Sequence, residues 1–200
     1  MNLSLYLVAS RAKFSDECFL NKIKDAIKGG VSVVQLREKE LSLLEFYKLA
    51  AKVKTLCDEL KTPLIINDRI DIALAVKASG VHLGQEDLPV SVAKRLLGEG
   101  KIIGLSVKTP KQLALSAGAD YIGCGAVFES LTKASAVIGV EGLNALCKKS
   151  TLPVVAIGGI DSANVSLLKQ SKIAGIAVSS AIMNAQNAFE ASVRLKKALE

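Results

Sequence analysis

The chain has no tryptophan and few other aromatics, with five phenylalanines and three tyrosines making up 4% of 200 residues. Half of the residues are nevertheless hydrophobic, so the core must be built from valine, isoleucine, leucine and alanine. A chain of this length and apolar content buries a sizeable core in one compact body, and a single domain over residues 1–200 is expected. No apolar run reaches the length of a membrane span. The opening residues, Met1-Asn2-Leu3-Ser4-Leu5-Tyr6-Leu7-Val8, carry no basic leader and no small-residue cleavage site, and read as a strand rather than a signal peptide. There is one histidine, and the four cysteines (Cys18, Cys57, Cys124, Cys147) form no C-x-x-C pair. Zinc spacing is thereby excluded, and a cytoplasmic chain with reduced, structural thiols is expected. Basic residues interleaved with aromatics are missing as well, although the net charge is +7. Lysines spread over helical patterns, as in Arg194-Leu195-Lys196-Lys197, describe a solvated surface or a field that draws in anionic substrates, not a nucleic-acid interface.

Linkers, low-complexity segments and shifts in composition are also lacking. What is present is alternation. Apolar runs of strand length occur at 3–9, 31–36, 63–66, 80–83, 102–107, 121–127, 153–157 and 175–178. Helical patterns separate them. The clearest spans Leu41–Leu60, with Leu49, Val53, Leu56 and Leu60 on one face. Another opens at Thr109-Pro110, a cap followed by proline at the first helical position, and a third opens at Asp161-Ser162. Near-continuous β-branched runs suit parallel strands covered on both faces. Eight strands alternating with helices predict an α/β fold, a (β/α)₈ TIM barrel at the small end of its size range. The alternative, an open doubly wound sheet, often carries a glycine-rich turn after the first strand; here Ala9-Ser10-Arg11 stands there, without glycine.

Active sites of such barrels lie where the strands end. The residues just past the strands are therefore the candidates: Gln35-Leu36-Arg37-Glu38-Lys39, Asn67-Asp68-Arg69, Gln85-Glu86-Asp87, Ser106-Val107-Lys108, Glu129-Ser130-Leu131-Thr132-Lys133, Gly158-Gly159 and Ser179-Ser180. Each has a bland reading. Asp68 and Asp87 can cap helices or form turns, Arg37 and Lys39 can be surface charges, and Gly158-Gly159 can be a tight turn. His82, in a strand pattern with no acid or nucleophile beside it in sequence, reads as a satisfied core residue. Taken together they say more. Gly158-Gly159 opening a helix, with Ser179 and Ser180 after the last strand, fits the phosphate site recurrent in these barrels. Arg37, Lys39 and Lys133 provide for a second anion elsewhere on the rim. Two acids beside an anion repel it unless a cation lies between, and Mg²⁺ is typically held by one or two carboxylates plus phosphate oxygens. Asp68, Asp87, Mg²⁺ and a pyrophosphate make a consistent set.

The motifs resemble those of the thiamine phosphate synthase family. They are Q-L-R-E-K at 35–39, N-D-R-I-D-I-A-L-A at 67–75, G-V-H-L-G-Q-E-D-L-P at 80–89, A-D-Y-I-G-C-G-A-V-F at 119–128, T-K at 132–133 and V-V-A-I-G-G-I at 154–160, in order along the chain. The resemblance implies a (β/α)₈ barrel that joins hydroxymethylpyrimidine pyrophosphate to a thiazole phosphate, usually supplied as its carboxylate. It implies that Gln35, Leu36, Arg37, Glu38, Lys39, Asn67, Ser106 and Lys133 bind the pyrimidine pyrophosphate. Asp68 and Asp87 would hold Mg²⁺, and Ser130, Leu131, Thr132, Gly159, Ser179 and Ser180 would bind the thiazole phosphate. Two stretches depart from the family pattern. Glu129-Ser130-Leu131-Thr132-Lys133 replaces a common Pro-Thr-x-Thr-Lys, and the first strand ends in Ala9-Ser10 where Thr-Asp is common.

The chemistry implied is dissociative substitution. Pyrophosphate leaves the pyrimidine methylene, the aminopyrimidine ring stabilises the cation, and the thiazole nitrogen attacks it. No protein nucleophile is needed; Arg37, Lys39, Ser106 and Lys133 would serve the reacting groups. A polar run within 128–138 reads as a lid over the rim. A thiazole tautomerase on the same barrel and a non-catalytic thiamine-phosphate-binding protein are the alternatives. The partners expected are small-molecule substrates, with no nucleic acid and no membrane; self-association into a homo-oligomer stays open.

Overall fold

The computed structural model describes residues 1–129 and 136–199. Eight parallel strands run in sequence order: β1 Leu5–Ala9, β2 Val33–Leu36, β3 Leu64–Asn67, β4 Gly80–Leu83, β5 Ile102–Val107, β6 Tyr121–Cys124, β7 Val154–Ile157 and β8 Gly175–Val178. Each pairs with the next, and β8 pairs back onto β1 through Leu5↔Ile176 and Leu7↔Val178, so the sheet closes into a barrel without an edge. This is the predicted fold.

Strand parity sorts the side chains into two cores. Leu5, Leu7, Val34, Leu36, Leu64, Ile66, Val81 and Leu83 point outward into a large aliphatic layer shared with the helices. Tyr6, Val8, Val33, Ile65, Tyr121, Val155 and Ala177 point inward and fill the barrel. The few aromatic residues are therefore not spread evenly, since two of the three tyrosines lie on the barrel axis.

The covering helices are α1 Asp16–Lys28, α2 Leu43–Glu59, α3 Ile70–Ala75, α4 Val90–Leu97, α5 Pro110–Leu113, α6 Gly139–Lys149, α7 Ser180–Met183 and α8 Ala188–Leu199. Their starts follow local chemistry. The Ser15 side chain accepts from the Cys18 amide at the head of α1. Ser42 and Glu45 form a reciprocal capping box on α2, and Thr109 caps α5 ahead of Pro110, as the sequence predicted. Among the described residues no helix is long and apolar enough to cross a membrane.

One expectation fails. No α-helix opens at Asp161-Ser162. Asp161 Oδ1 instead accepts from the amides of Ala163 and Asn164, and the segment makes only a 3₁₀ turn at Val165–Leu168. An aspartate that satisfies nearby amides in a turn competes with helix initiation as readily as it caps one. The thiols also divide: Cys57 and Cys124 are buried, whereas Cys18 is exposed and Cys147 is half-buried.

Candidate active site

A cavity of about 390 Å³ opens where the strands end. It is lined by Gln35, Arg37, Asn67, Ser106, Gly159, Ser179 and Ser180 among the predicted residues. Strand parity explains the choice. Gln35, Asn67 and Ser106 are inward positions near the ends of β2, β3 and β5. Leu36, between Gln35 and Arg37, points outward and is fully buried in the helix layer, so only its backbone is available to a ligand. Glu38 is turned aside as well. Its Oε1 accepts from the Arg11 amide at 2.6 Å, tying the loop after β1 to the loop after β2, and burial raises its carboxyl above the usual range.

The floor of the cavity is buried and uncharged. Gln35 Nε2 donates to the Tyr6 hydroxyl at 2.9 Å, and the Tyr6 and Tyr121 hydroxyls bond at 2.7 Å. The Tyr121 hydroxyl lies 3.0 Å from His82 Nδ1, and His82 Nε2 lies 2.9 Å from Ser106 Oγ. Five side chains from five strands thus form one unbroken chain across the barrel. Burial pushes the His82 imidazole down to about 4, so the ring is neutral near pH 7. His82 is a satisfied core residue, as expected, but it also lines the cavity. Two glycines make room for it. A Cβ on Gly104 would stand 2.5 Å from His82 Nδ1, and one on Gly123 would stand 3.1 Å from His82 Cε1.

The acids stand on the barrel rim but outside the cavity lining: Asp68 lines a separate pocket with Arg69, Ile70, Asp71, Leu74, Leu88 and Leu96, and neither Asp87 nor Lys39 lines the cavity. Asp68 does not cap a helix: α3 begins at Ile70, and Asp68 itself has φ 59°, an uncommon conformation for a non-glycine residue. Its amide donates to the His82 carbonyl at 2.9 Å, and its carboxylate pairs with Lys39. Arg69 turns to Asp71 instead, at 2.9 Å through Nε, and leaves Asp68 free of competition. Asp87 Oδ2 accepts from the Gly84 amide at 2.6 Å, so its turn reading holds too. Burial raises the Asp87 carboxyl, and the nearby Asp68 carboxylate, within hydrogen-bonding reach, adds to the rise. Acids from two neighbouring strands therefore meet, with Lys39 beside them. Among the described residues no group of three or more His, Cys, Asp and Glu side chains gathers to hold a metal. Two carboxylates without a third protein ligand fit a hard cation whose remaining ligands are water and substrate oxygens. The donor set accordingly fits Mg²⁺.

Across the mouth, Gly158 (φ 100°) and Gly159 (φ 66°) follow β7. A Cβ on Gly159 would stand 2.7 Å from the Phe128 carbonyl oxygen, so the turn packs directly on the chain leaving β6. It is not a helix start, because the segment after it is irregular as far as Val165. Asn164 Nδ2 donates to the Gly159 carbonyl at 2.7 Å and fixes the turn from behind. Ser179 and Ser180 precede and open the short helix α7, and among the described residues their hydroxyls have no hydrogen-bond partner. Ser130, Leu131, Thr132 and Lys133, and with them the polar part of the expected lid, lie outside the described residues.

Several cavity residues escaped the sequence reading: Tyr6, Tyr121, Phe14 and Asn184, whereas Lys108 stood among the strand-end candidates and Ser10 was noted only as a departure from the family pattern. Tyr6 and Tyr121 had a legible signal, because each falls at an inward parity and Tyr121 is paired with glycine, Gly104↔Tyr121. Asn184 had none beyond its place after a helix.

Comparison with known proteins agrees with this fold. The thiamine monophosphate synthase family model matches residues 5–182. A thiamine-phosphate synthase of Campylobacter jejuni is 55% identical over 98% of this chain and 94% of its own. One from Enterococcus faecalis is 47% identical over 94% of this chain and 90% of its own. The solved structure of a thiamine phosphate pyrophosphorylase from Pyrococcus furiosus superimposes with a TM-score of 0.89 at 36% identity, covering 99% of this chain and 96% of that one. With a barrel of this topology, a match along nearly its whole length and relatives well above the level at which families are shared, the chain belongs to the thiamine monophosphate synthase family.

Proposed function

We propose that the protein joins hydroxymethylpyrimidine pyrophosphate to thiazole phosphate or its carboxylate, forming thiamine phosphate and pyrophosphate, as a cytoplasmic transferase of thiamine biosynthesis. The observation that carries this reading is a cavity with an uncharged, hydrogen-bonding floor and two basic residues, Arg37 and Lys108, in its wall, with the acid pair of Asp68 and Asp87 on the barrel rim past the ends of neighbouring strands. An aminopyrimidine is a flat, neutral, hydrogen-bonding ring joined to a polyanion, and each part has a matching surface.

The residues then take definite tasks. Gln35, Asn67 and Ser106 hold the pyrimidine at the floor. Arg37, which forms no ion pair among the described residues, faces the cavity and receives pyrophosphate oxygens. Lys39 stands beside the acid pair, where it shares the same anion. Asp68 and Asp87 would hold Mg²⁺, which supplies Lewis-acid neutralisation of charge on a leaving pyrophosphate. Gly159, Ser179 and Ser180 hold the thiazole phosphate on the opposite side, so that its nitrogen faces the pyrimidine methylene. Positioning and charge neutralisation account for the whole reaction, and the floor offers no activated nucleophile to suggest otherwise.

The test is to incubate both substrates with Mg²⁺ and assay thiamine phosphate. Product formation that stops when Mg²⁺ is chelated is expected. A thiazole tautomerase would handle one phosphate without releasing pyrophosphate, and a binding protein would hold thiamine phosphate without turnover; either outcome displaces this reading.

A further inference from the structure

The buried chain of side chains has a direction, and the direction determines what the floor offers a ligand. Gln35 Nε2 can only donate, so the Tyr6 oxygen accepts from it. Tyr6 is 1% exposed, and its own proton has one partner within reach, the Tyr121 oxygen. Tyr121 has then filled one side and gives its proton to His82 Nδ1. His82 must carry its single proton on Nε2 and donates it to Ser106 Oγ. The Ser106 proton is the one left over, and it lies at the cavity. The reverse direction, with Ser106 donating to His82 and Tyr121 donating to Tyr6, makes Tyr6 accept twice and leaves its buried proton without a partner, a costly arrangement.

The geometry points to Tyr6, Tyr121 and His82 as positioning residues that fix hydrogen-bond polarity at both ends of the pyrimidine subsite: Gln35 shows its carbonyl, an acceptor, and Ser106 shows its hydroxyl proton, a donor. A 4-aminopyrimidine edge offers the complement, an amine that donates beside a ring nitrogen that accepts. The 4-oxo analogue offers the reverse at both atoms, and its pyrophosphate, pinned at the rim, prevents it from turning over to compensate. The floor is therefore a filter for amino against oxo pyrimidines, acting through residues that need not touch the substrate. Among the described residues no protein donor reaches Gln35 Oε1, as a ligand-facing acceptor requires. The glycines at 104 and 123 are part of the device, because side chains there would displace Tyr121 and His82.

This inference rests on the proposed reaction for its substrate but not for its first test. The chain has a single histidine, so ¹⁵N NMR of the imidazole in ligand-free protein at neutral pH reads one ring. A pyrrole-type, protonated Nε2 with a pyridine-type Nδ1 is expected. A protonated Nδ1, which would require the Gln35 amide to be turned the other way, or an imidazolium, overturns the proposal whatever the protein catalyses. The second test is kinetic. Tyr6→Phe removes the acceptor that holds the Gln35 amide and, with it, the donor that sets the direction of the chain as far as Ser106. It should reduce the preference in kcat/KM for the amino over the oxo pyrimidine pyrophosphate by about tenfold, with most of the change in the KM of the amino substrate. An unchanged preference in a folded Tyr6→Phe protein overturns the filter; if that variant does not fold, the wild-type tautomer still decides.

Discussion

The floor of the cavity and the barrel rim outside it, where the acids stand, solve opposite problems. On the floor, Gln35, Tyr6, Tyr121, His82 and Ser106 are each held by a neighbour, and the only histidine is kept neutral by burial. On the rim, Asp68 sits in a strained backbone conformation, Asp87 is pressed toward it, and Lys39 is half-exposed beside them. A satisfied network is stable by itself and resists change. A pair of crowded acids is not, and gains from whatever cation arrives. The difference implies that damage to the floor should appear as lost stability and selectivity, while damage to the rim should appear as lost turnover in a protein that folds normally.

The largest effect should follow from the rim. Asp68→Asn keeps a side chain that tolerates positive φ and removes only the charge. It should lower kcat at saturating Mg²⁺ by on the order of 10²–10³-fold, with little change in thermal midpoint. Near wild-type kcat would remove Asp68 from the proposed metal seat. Gly104→Ala should do the reverse. Its Cβ would press on His82 and Tyr121, and the barrel offers no slack there. A loss of ~3 kcal/mol is expected, the upper end for overpacking, read as a lower midpoint in denaturant. An unaltered midpoint would mean that the floor is looser than its hydrogen bonds imply.

How much of this was legible depended on which physical signal each residue carried. The eight strands announced themselves as β-branched runs, and closure followed from their number and alternation. Gln35, Asn67 and Ser106 were legible because the end of a strand is a location as well as a residue. Leu36 and Glu38 were not separable from Gln35 and Arg37 by motif alone; parity sends Leu36 outward, and a long-range bond to the Arg11 amide claims Glu38. The Asp161 helix was misread because a local side-chain bond to the backbone serves a turn as well as a helix. The network was invisible for a further reason. Tyr6 and Tyr121 are 115 positions apart, and nothing local says that closure will bring their hydroxyls to 2.7 Å.

Acid should expose the floor before the rim. His82 is depressed to about 4 when folded and returns to the ordinary value near 6.5 when the chain unfolds. Between these values the unfolded chain binds a proton that the folded one refuses, so stability falls as the pH drops from about 6.5 toward 4. The loss should reach ~3 kcal/mol at the lower end. Glu38 and Asp87, both raised, work in the opposite sense and blunt the slope. Urea midpoints at pH 7 and pH 4.5 test this, with His82→Gln as the comparison. If the variant keeps the same pH slope, burial of the histidine is not its source.

The smallest effect separates binding from chemistry on the far side of the mouth. Gly159 is a poor place to probe the thiazole phosphate, because any side chain there meets the backbone of Phe128 and Glu129 at a positive φ and disturbs the fold first. Ser179 and Ser180 are better. Among the described residues their hydroxyls hold nothing in place, so removing one should leave stability within the range of an ordinary surface change. If each hydroxyl donates to the phosphate, Ser179→Ala or Ser180→Ala should raise the KM for thiazole phosphate by roughly tenfold, the worth of one hydrogen bond to a charged group after solvent exchange. The KM for the pyrimidine pyrophosphate should not move, since floor and rim are untouched. A shift in the pyrimidine KM instead would place the two anions the other way round, with the pyrophosphate at the glycine turn, and would separate Asp68 and Asp87 from the leaving group they are proposed to serve.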